Sequence, residues 1–132
     1  MDELLQGLYT RYLSAAGAAL RAIVTAMYPS MAVQATVAPY VTYMVLSCTQ
    51  DDNMETEQYI PLVRFSIWDD QVSPARGWSA VEELRDLYRD FLPTLANWKA
   101  IRAQVQQPGI ALWDEPTKSW GFHVEILYRI GR

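Results

Sequence analysis

Apolar residues open the chain at helical spacing: Leu4, Leu5, Leu8, Tyr9, Tyr12, Leu13, Ala16, Leu20, Ile23, Val24 and Met27. The pattern predicts a long amphipathic helix that stops before Pro29, with Gly17 as a point where it divides in two. Asp2 and Glu3 stand where the positive end of the helix dipole favours acidic side chains. From Pro39 to Cys48 the chain turns β-branched and aromatic on both alternating sets, which predicts a strand covered on both faces. A shorter extended piece is expected around residues 31–36. Gln50 to Gln58 is polar and acidic and predicts an exposed hairpin connection. Tyr59 to Trp68 predicts the next strand, with Val63, Phe65 and Ile67 alternating against Arg64, Ser66 and Trp68. Pro61 cannot donate to a ladder, so the start of that strand is expected at an edge or a bulge.

The period then changes. Val81, Leu84, Tyr88 and Phe91, widened by Leu87 and Leu92, form a helical stripe that Pro93 ends. Ser79 with Glu82 fits a capping box at its start, and Ser73-Pro74 is a rival start with proline at the first helical position. Trp98 to Gln106 alternates weakly, Pro108-Gly109 reads as a turn, and Ile110 to Trp113 as a short strand. After a turn at Asp114 to Ser119 comes the clearest period-two run: Trp120, Phe122, Val124, Ile126, Tyr128 and Ile130, with His123, Glu125 and Arg129 on the other face. Helix, strands, helix, strands with short connections predict an α+β fold in one domain over residues 1–132. The expected architecture is an antiparallel β-sheet with a long N-terminal helix and a second helix packed on one face.

Charge and composition narrow the function. The 132 residues carry a net charge of -4 and show no run of Lys or Arg, which argues against a nucleic-acid binder. The N-terminus lacks the basic and apolar regions of a signal peptide. Ala22 to Gln50 is uncharged and long enough to span a bilayer, but Pro29 and Pro39 interrupt it, so it reads as helix end, loop and strand. No membrane partner is expected.

Groups able to do chemistry are few. Cys48 is the only cysteine, which excludes an internal disulfide, and at the end of an apolar strand it is expected to be buried and inert. His123 is the only histidine and reads as a half-exposed sheet residue rather than a base or ligand. The pairs Asp51-Asp52, Asp69-Asp70 and Asp114-Glu115 fall at strand ends and turns, where Asp commonly bonds locally. Residues 51–57 lack the glycine and terminal glutamate of a calcium loop, and no phosphate-binding glycine loop is present. A competing expectation is a small enzyme or ligand-binding domain in which Asp69, Asp70, Asp114 and Glu115 converge in one pocket. Otherwise no catalytic residue, cofactor or metal is expected.

The five Trp and eight Tyr exceed what a small core needs, and such residues also anchor interfaces. Candidate contact residues are Asp51, Asp52, Met54, Glu55 and Glu57 in the acidic connection and Glu82, Arg85, Asp86 and Arg89 on the polar helix face. A solvated loop and a merely wet helix face are the plain alternatives for the two sets.

The order and spacing of certain strings add a resemblance. A leading helix running to Met27-Tyr28-Pro29 is followed by Pro39-Tyr40-Val41-Thr42-Tyr43 and an acidic connection. Val63-Arg64-Phe65-Ser66-Ile67-Trp68-Asp69, the helix Ala80 to Tyr88 and the final strand Trp120 to Ile130 complete the set. This succession, over nearly the whole chain, resembles the tail-completion or tail-terminator proteins of tailed bacteriophages. The resemblance implies a non-enzymatic virion protein, assembled in the host cytoplasm as a closed ring, usually of six copies. Such a ring caps the tail tube protein and faces the head-tail connector proteins. A neck or head-completion protein, or another minor tail component, is the neighbouring alternative.

Overall fold

The computed structural model describes residues 2–32, 36–50 and 57–132. Five strands form one sheet: β1 (Met27–Pro29), β2 (Tyr40–Gln50), β3 (Gln58–Asp69), β4 (Lys99–Asp114) and β5 (Ser119–Gly131). They lie in the order β1-β2-β3-β5-β4. Helices α1 (Asp2–Leu13), α2 (Ala18–Arg21) and α3 (Ala75–Tyr88) pack on one face of it, so the fold is α+β.

The sheet is mixed rather than purely antiparallel. Met27, Tyr28 and Pro29, expected to end the first helix, instead pair in parallel with Val41, Thr42 and Tyr43 of β2. The long helix is also divided: it stops at Leu13, passes through a short 3-10 turn at Ala15–Gly17, and resumes for one turn as α2. Gly17 is needed at this break because a Cβ there would strike the carbonyl of Tyr12. Arg21 closes the turn by donating from Nη1 to the carbonyls of Tyr12 and Ser14. Helical periodicity continues through such a break because both pieces bury residues on the same side: Leu4, Leu8 and Tyr12, then Leu20. It carries no mark of the strand that follows.

The period-two run of β5 gives the core its floor. Phe122, Val124, Ile126, Tyr128 and Ile130 are buried beneath the helices, and Val63, Phe65 and Ile67 of β3 stand beside them. From above, Val81, Leu84 and Tyr88 of α3 and Leu4, Leu8 and Tyr12 of α1 close the core. Helix α3 begins at Ala75, near the Ser73-Pro74 start, and Ser79 is no cap: its hydroxyl lies one turn inside and donates to the carbonyl of Ala75 at 3.1 Å. The helix ends at Tyr88, before Pro93, where Asp90 takes a positive φ of 59°.

Three further expectations change. Pro108-Gly109 is a bulge inside one sixteen-residue β4, which also shifts register near Ala100/Arg102 and Val105/Gln107. Pro61 is flanked by strands on both sides; it pairs with Cys48 of β2, while the ladder to β5 skips it between Tyr59 and Leu62. Finally, β2 is covered on one face alone, and Met44 on the other face is 41% exposed.

One core atom is unsatisfied. The Tyr128 hydroxyl is buried and has no hydrogen-bond partner among the described residues, and burial pushes its pKa up. A buried, unmade hydrogen bond costs free energy that phenylalanine avoids. Tyr128→Phe is therefore expected to raise stability by about 1 kcal/mol in chemical denaturation. Tyr88→Phe removes a hydroxyl that donates to the Leu8 carbonyl at 2.6 Å and is expected to lower stability by a similar amount, about 1 kcal/mol.

Candidate assembly surfaces

The carboxylates first read as a possible pocket go separate ways. Asp69 is fully buried and takes a two-pronged ion pair from Arg76, whose Nε lies 3.1 Å from Oδ2, and a bond from the backbone of Gln71. This ties the end of β3 to the first turn of α3. Asp70 is 71% exposed. Asp114 accepts from Thr117, and the exposed Glu115 takes Lys118 and the indole of Trp113. The four groups thus do not face one site. Among the described residues, no three His, Cys, Asp or Glu side chains stand together as a metal site would require.

Cys48 is exposed, contrary to expectation, because it lies on the stretch of β2 beyond the three residues that β1 covers. Its partner is Pro61, whereas His123 pairs with Ser66, five positions further along β3. At about 3.3 Å per residue, that separation keeps the thiol and the imidazole from forming a dyad. His123 Nδ1 instead lies 2.8 Å from the Ser66 hydroxyl, and its ring meets Trp68 edge-on. Glu125, the nearest acid along β5, is engaged by Arg64 at 2.7 Å, and no carboxylate among the described residues bonds the imidazole to orient it as a base.

Burial first, and then the Arg64 guanidinium, hold the His123 pKa below its usual 6.5, against a smaller opposing pull from Glu125. An imidazole depressed in the folded state binds its proton more readily when unfolded. Stability is therefore expected to fall as pH drops through 6.5 and to level off below the folded value. NMR titration follows this one ring: the midpoint should lie below 6.5, rise in Arg64→Gln, and fall further in Glu125→Gln.

Two surfaces are left for contacts. The first is the uncovered face of the sheet. Trp68 lies across Gly121 there and donates from its indole to Thr42 at 3.0 Å. Met44, Ile110 and Leu112, 41%, 43% and 55% exposed, lie on the same face, opposite Arg64, His123 and Gly121 in the ladders. Pairing puts Arg102 beside Arg129, and Arg129 donates to Gln58 at 2.6 Å. Apolar side chains grouped on an open sheet face characterise a surface that meets another protein.

The second surface is the flank of α3 along β4. At its N-terminal end Trp78 and Val81 lie against Gly109 of β4. Towards the C-terminal end the two elements separate into a groove of about 530 Å³ whose lining includes Tyr88, Arg89, Arg102, Val105 and Ile126. Helical spacing puts Trp78, Glu82, Arg85 and Arg89 on one stripe. Glu82, Asp86, Arg89 and Arg102 make no side-chain hydrogen bond or ion pair among the described residues, and the Nε of Arg85 is buried without a partner there.

Of the second candidate set, Arg89 lines this groove, whereas Glu82, Arg85 and Asp86 stand elsewhere on α3 and are not part of its lining. Asp51, Asp52, Met54 and Glu55 lie outside the described residues. Their connection leaves β2 at Gln50 and re-enters through Glu57, which accepts from the Tyr59 hydroxyl and faces Arg132 at 3.7 Å. Sequence reasoning missed Arg102 and the exposed Ile101, 43% accessible, because bulged β4 follows no clean alternation. Their one signal is an Ile-Arg pair in a weakly alternating stretch that also carries Lys99 and Gln104. A further groove between α1 and β1, about 910 Å³, is lined by Tyr9, Tyr12, Tyr28 and Tyr43. Burial and then Tyr9 push the Tyr43 pKa up to about 12. Among the described residues, no helix is long and apolar enough to cross a membrane.

Comparison with known proteins gives one kind of answer. No family model matches the chain, and no curated protein does. Among solved structures, the fold is similar to a chain from the virion of a native gene transfer agent (GTA) particle, with a TM-score of 0.84 and 15% identity. The match covers 95% of this chain and 92% of the other.

Proposed function

We propose that this protein is a structural subunit of a phage-like virion: a ring subunit that terminates the tail tube and forms the surface joining tail to head. The observation that carries this reading is the near end-to-end likeness of its fold to a chain of the gene transfer agent virion. The succession of strings that resembles tail-terminator proteins supports the more specific role. So does the surface, where apolar side chains remain outward on the open sheet face and Arg89 and Arg102 line the groove along β4. A non-enzymatic role suits this distribution, as do localisation in the virion and no cofactor.

A closed ring, hexameric in this proposal, uses heterologous contacts, so each copy offers two different patches. The tail tube protein and the head-tail connector proteins are the further partners. Electron microscopy of the protein mixed with purified tail tubes, together with native mass spectrometry, tests the reading. Rings seated at one end of each tube are expected. Density at the portal side of heads, with bare tube ends, would assign the chain to the neck or head-completion role instead. Tubes and heads both left unlabelled would overturn a virion role at these positions.

A further inference from the structure

We infer that neighbouring copies join edge to edge, strand β4 of one copy pairing antiparallel with β2 of the next, in the register that sets Ala103 against Cys48. The inference rests on the ring reading above and names the two patches which that ring needs.

Both edges of the sheet are open. In the order β1-β2-β3-β5-β4, β1 covers β2 only over Val41 to Tyr43, and no strand among the described residues pairs with the outer side of β2 from Met44 to Thr49. At the opposite edge Thr94 bridges to Lys99, and beyond Lys99 no strand among the described residues pairs with the outer side of β4. An open edge presents unpaired amides and carbonyls as a template for another strand, so natural edges commonly carry charge or proline as a guard. Met44 to Thr49 carries neither, and apart from Val45 its residues are exposed. Ala103 to Gln107 is likewise without charge or proline.

Level, direction and face select a second copy as the partner. Ladder partners run across the sheet from Ser47 through Leu62 and Leu127 to Gln104. One residue along, Cys48 pairs with Pro61 and Ala103 with Tyr128, and counting on from the Leu62–Leu127 pair puts Pro61 level with Tyr128. The two open stretches therefore stand at one height on opposite sides of a copy, separated by three strand spacings or about 14 Å. Both hold regular register with their inner neighbours, Ser47 to Thr49 on β3 and Arg102 to Val105 on β5. Because β2, β3, β5 and β4 are antiparallel in turn, β4 runs opposite to β2. A rotation about an axis along the strands brings the next β2 beside β4 with that alternation unbroken and every helix on the same side of the joined sheet. In the level register Gln104 faces Ser47, Ala103 faces Cys48 and Arg102 faces Thr49, so no like charges and no two bulky side chains are opposed. A β4-to-β2 contact is heterologous, as ring closure requires.

Disulfide trapping tests the pairing, using the one cysteine of the chain. Directly opposed residues of antiparallel strands have Cα atoms about 4.5–5.5 Å apart, within disulfide reach. Under mild oxidation Ala103→Cys, with Cys48 kept, should therefore give a ladder of covalent multimers up to the full copy number on denaturing gels. Wild type, Ala103→Cys/Cys48→Ser and Ala111→Cys should give none. A second measurement needs no covalent bond. By native mass spectrometry over a concentration series, Ser47→Lys/Gln104→Lys should associate about fivefold more weakly than wild type, and Ser47→Lys/Gln104→Glu should regain assembly. Within one copy these two positions lie farther apart than a Debye length at physiological salt, so their repulsion reports the contact between copies. Circular dichroism and thermal melting establish that each variant is folded. Rings that form without a disulfide in Ala103→Cys, or that tolerate the two lysines, would overturn the edge contact and leave the ring reading in place. Trapping that stops at dimers, or a ladder from Ala111→Cys instead, would overturn the pairing too. If wild type never assembles, alone or on tubes, the ring reading fails and the edge contact with it.

Discussion

Replacing Gly77 by alanine is expected to destabilise the fold by about 2–3 kcal/mol, lowering the melting temperature by about 10 °C. In an exposed helix the same change would stabilise by about 1 kcal/mol, because glycine is a poor helix former. Here the opposite sign is forced by packing. Gly77 is buried in the first turn of α3, and a Cβ there would meet three carbons of the Phe122 ring, the farthest of them, Cδ2, at 2.7 Å. Phe122 has nowhere to retreat: it is fully buried and flanked by the rings of Trp78 at 5.3 Å and Trp120 at 6.0 Å. Denaturant melts of Gly77→Ala, Phe122→Leu and the double variant form the check. The double variant should be more stable than the sum of the single losses predicts, by about 1 kcal/mol or more. Strict additivity would show that the ring does not set the limit on this position.

Arg76→Met should cost about 2–3 kcal/mol, towards the low end for breaking a buried ion pair because Arg76 itself is 32% exposed. Its loss leaves the Asp69 carboxylate, 0% exposed, with the Gln71 amide alone. Arg76→Met/Asp69→Leu should recover most of the loss, since apolar residues can replace a buried pair at little cost. No recovery in the double variant would contradict the account. Asp69 joins β3 to α3, so the loss should appear as unfolding and leave any purified assembly contact chemically unchanged.

The corrections show where local pattern stops being informative. Ser79 with Glu82 satisfied the spacing of a capping box, yet the helix had already begun at Ala75. The spacing alone does not distinguish a cap from a hydroxyl bonding one turn back. Pro108-Gly109 has turn chemistry, but continuous pairing with β5 on both sides of it makes one strand with a bulge. Cys48 followed an apolar run and was expected inside; β1, three residues long, ends before it and leaves it in solvent. The candidate contacts were half legible. A run of carboxylates and a charged helix stripe are sequence features, whereas Arg102 and Arg89 come to line one groove only once β4 lies along α3.

By itself the sequence determined the α+β class, the α3 stripe, the period-two β5 and the absence of any internal disulfide, because periodicity and residue chemistry are local properties. Tertiary structure alone decided the parallel β1, the burial of Asp69 and the groove between α3 and β4. Each depends on groups distant in sequence meeting in space, and in each the free energy comes from that meeting rather than from any local preference of the chain.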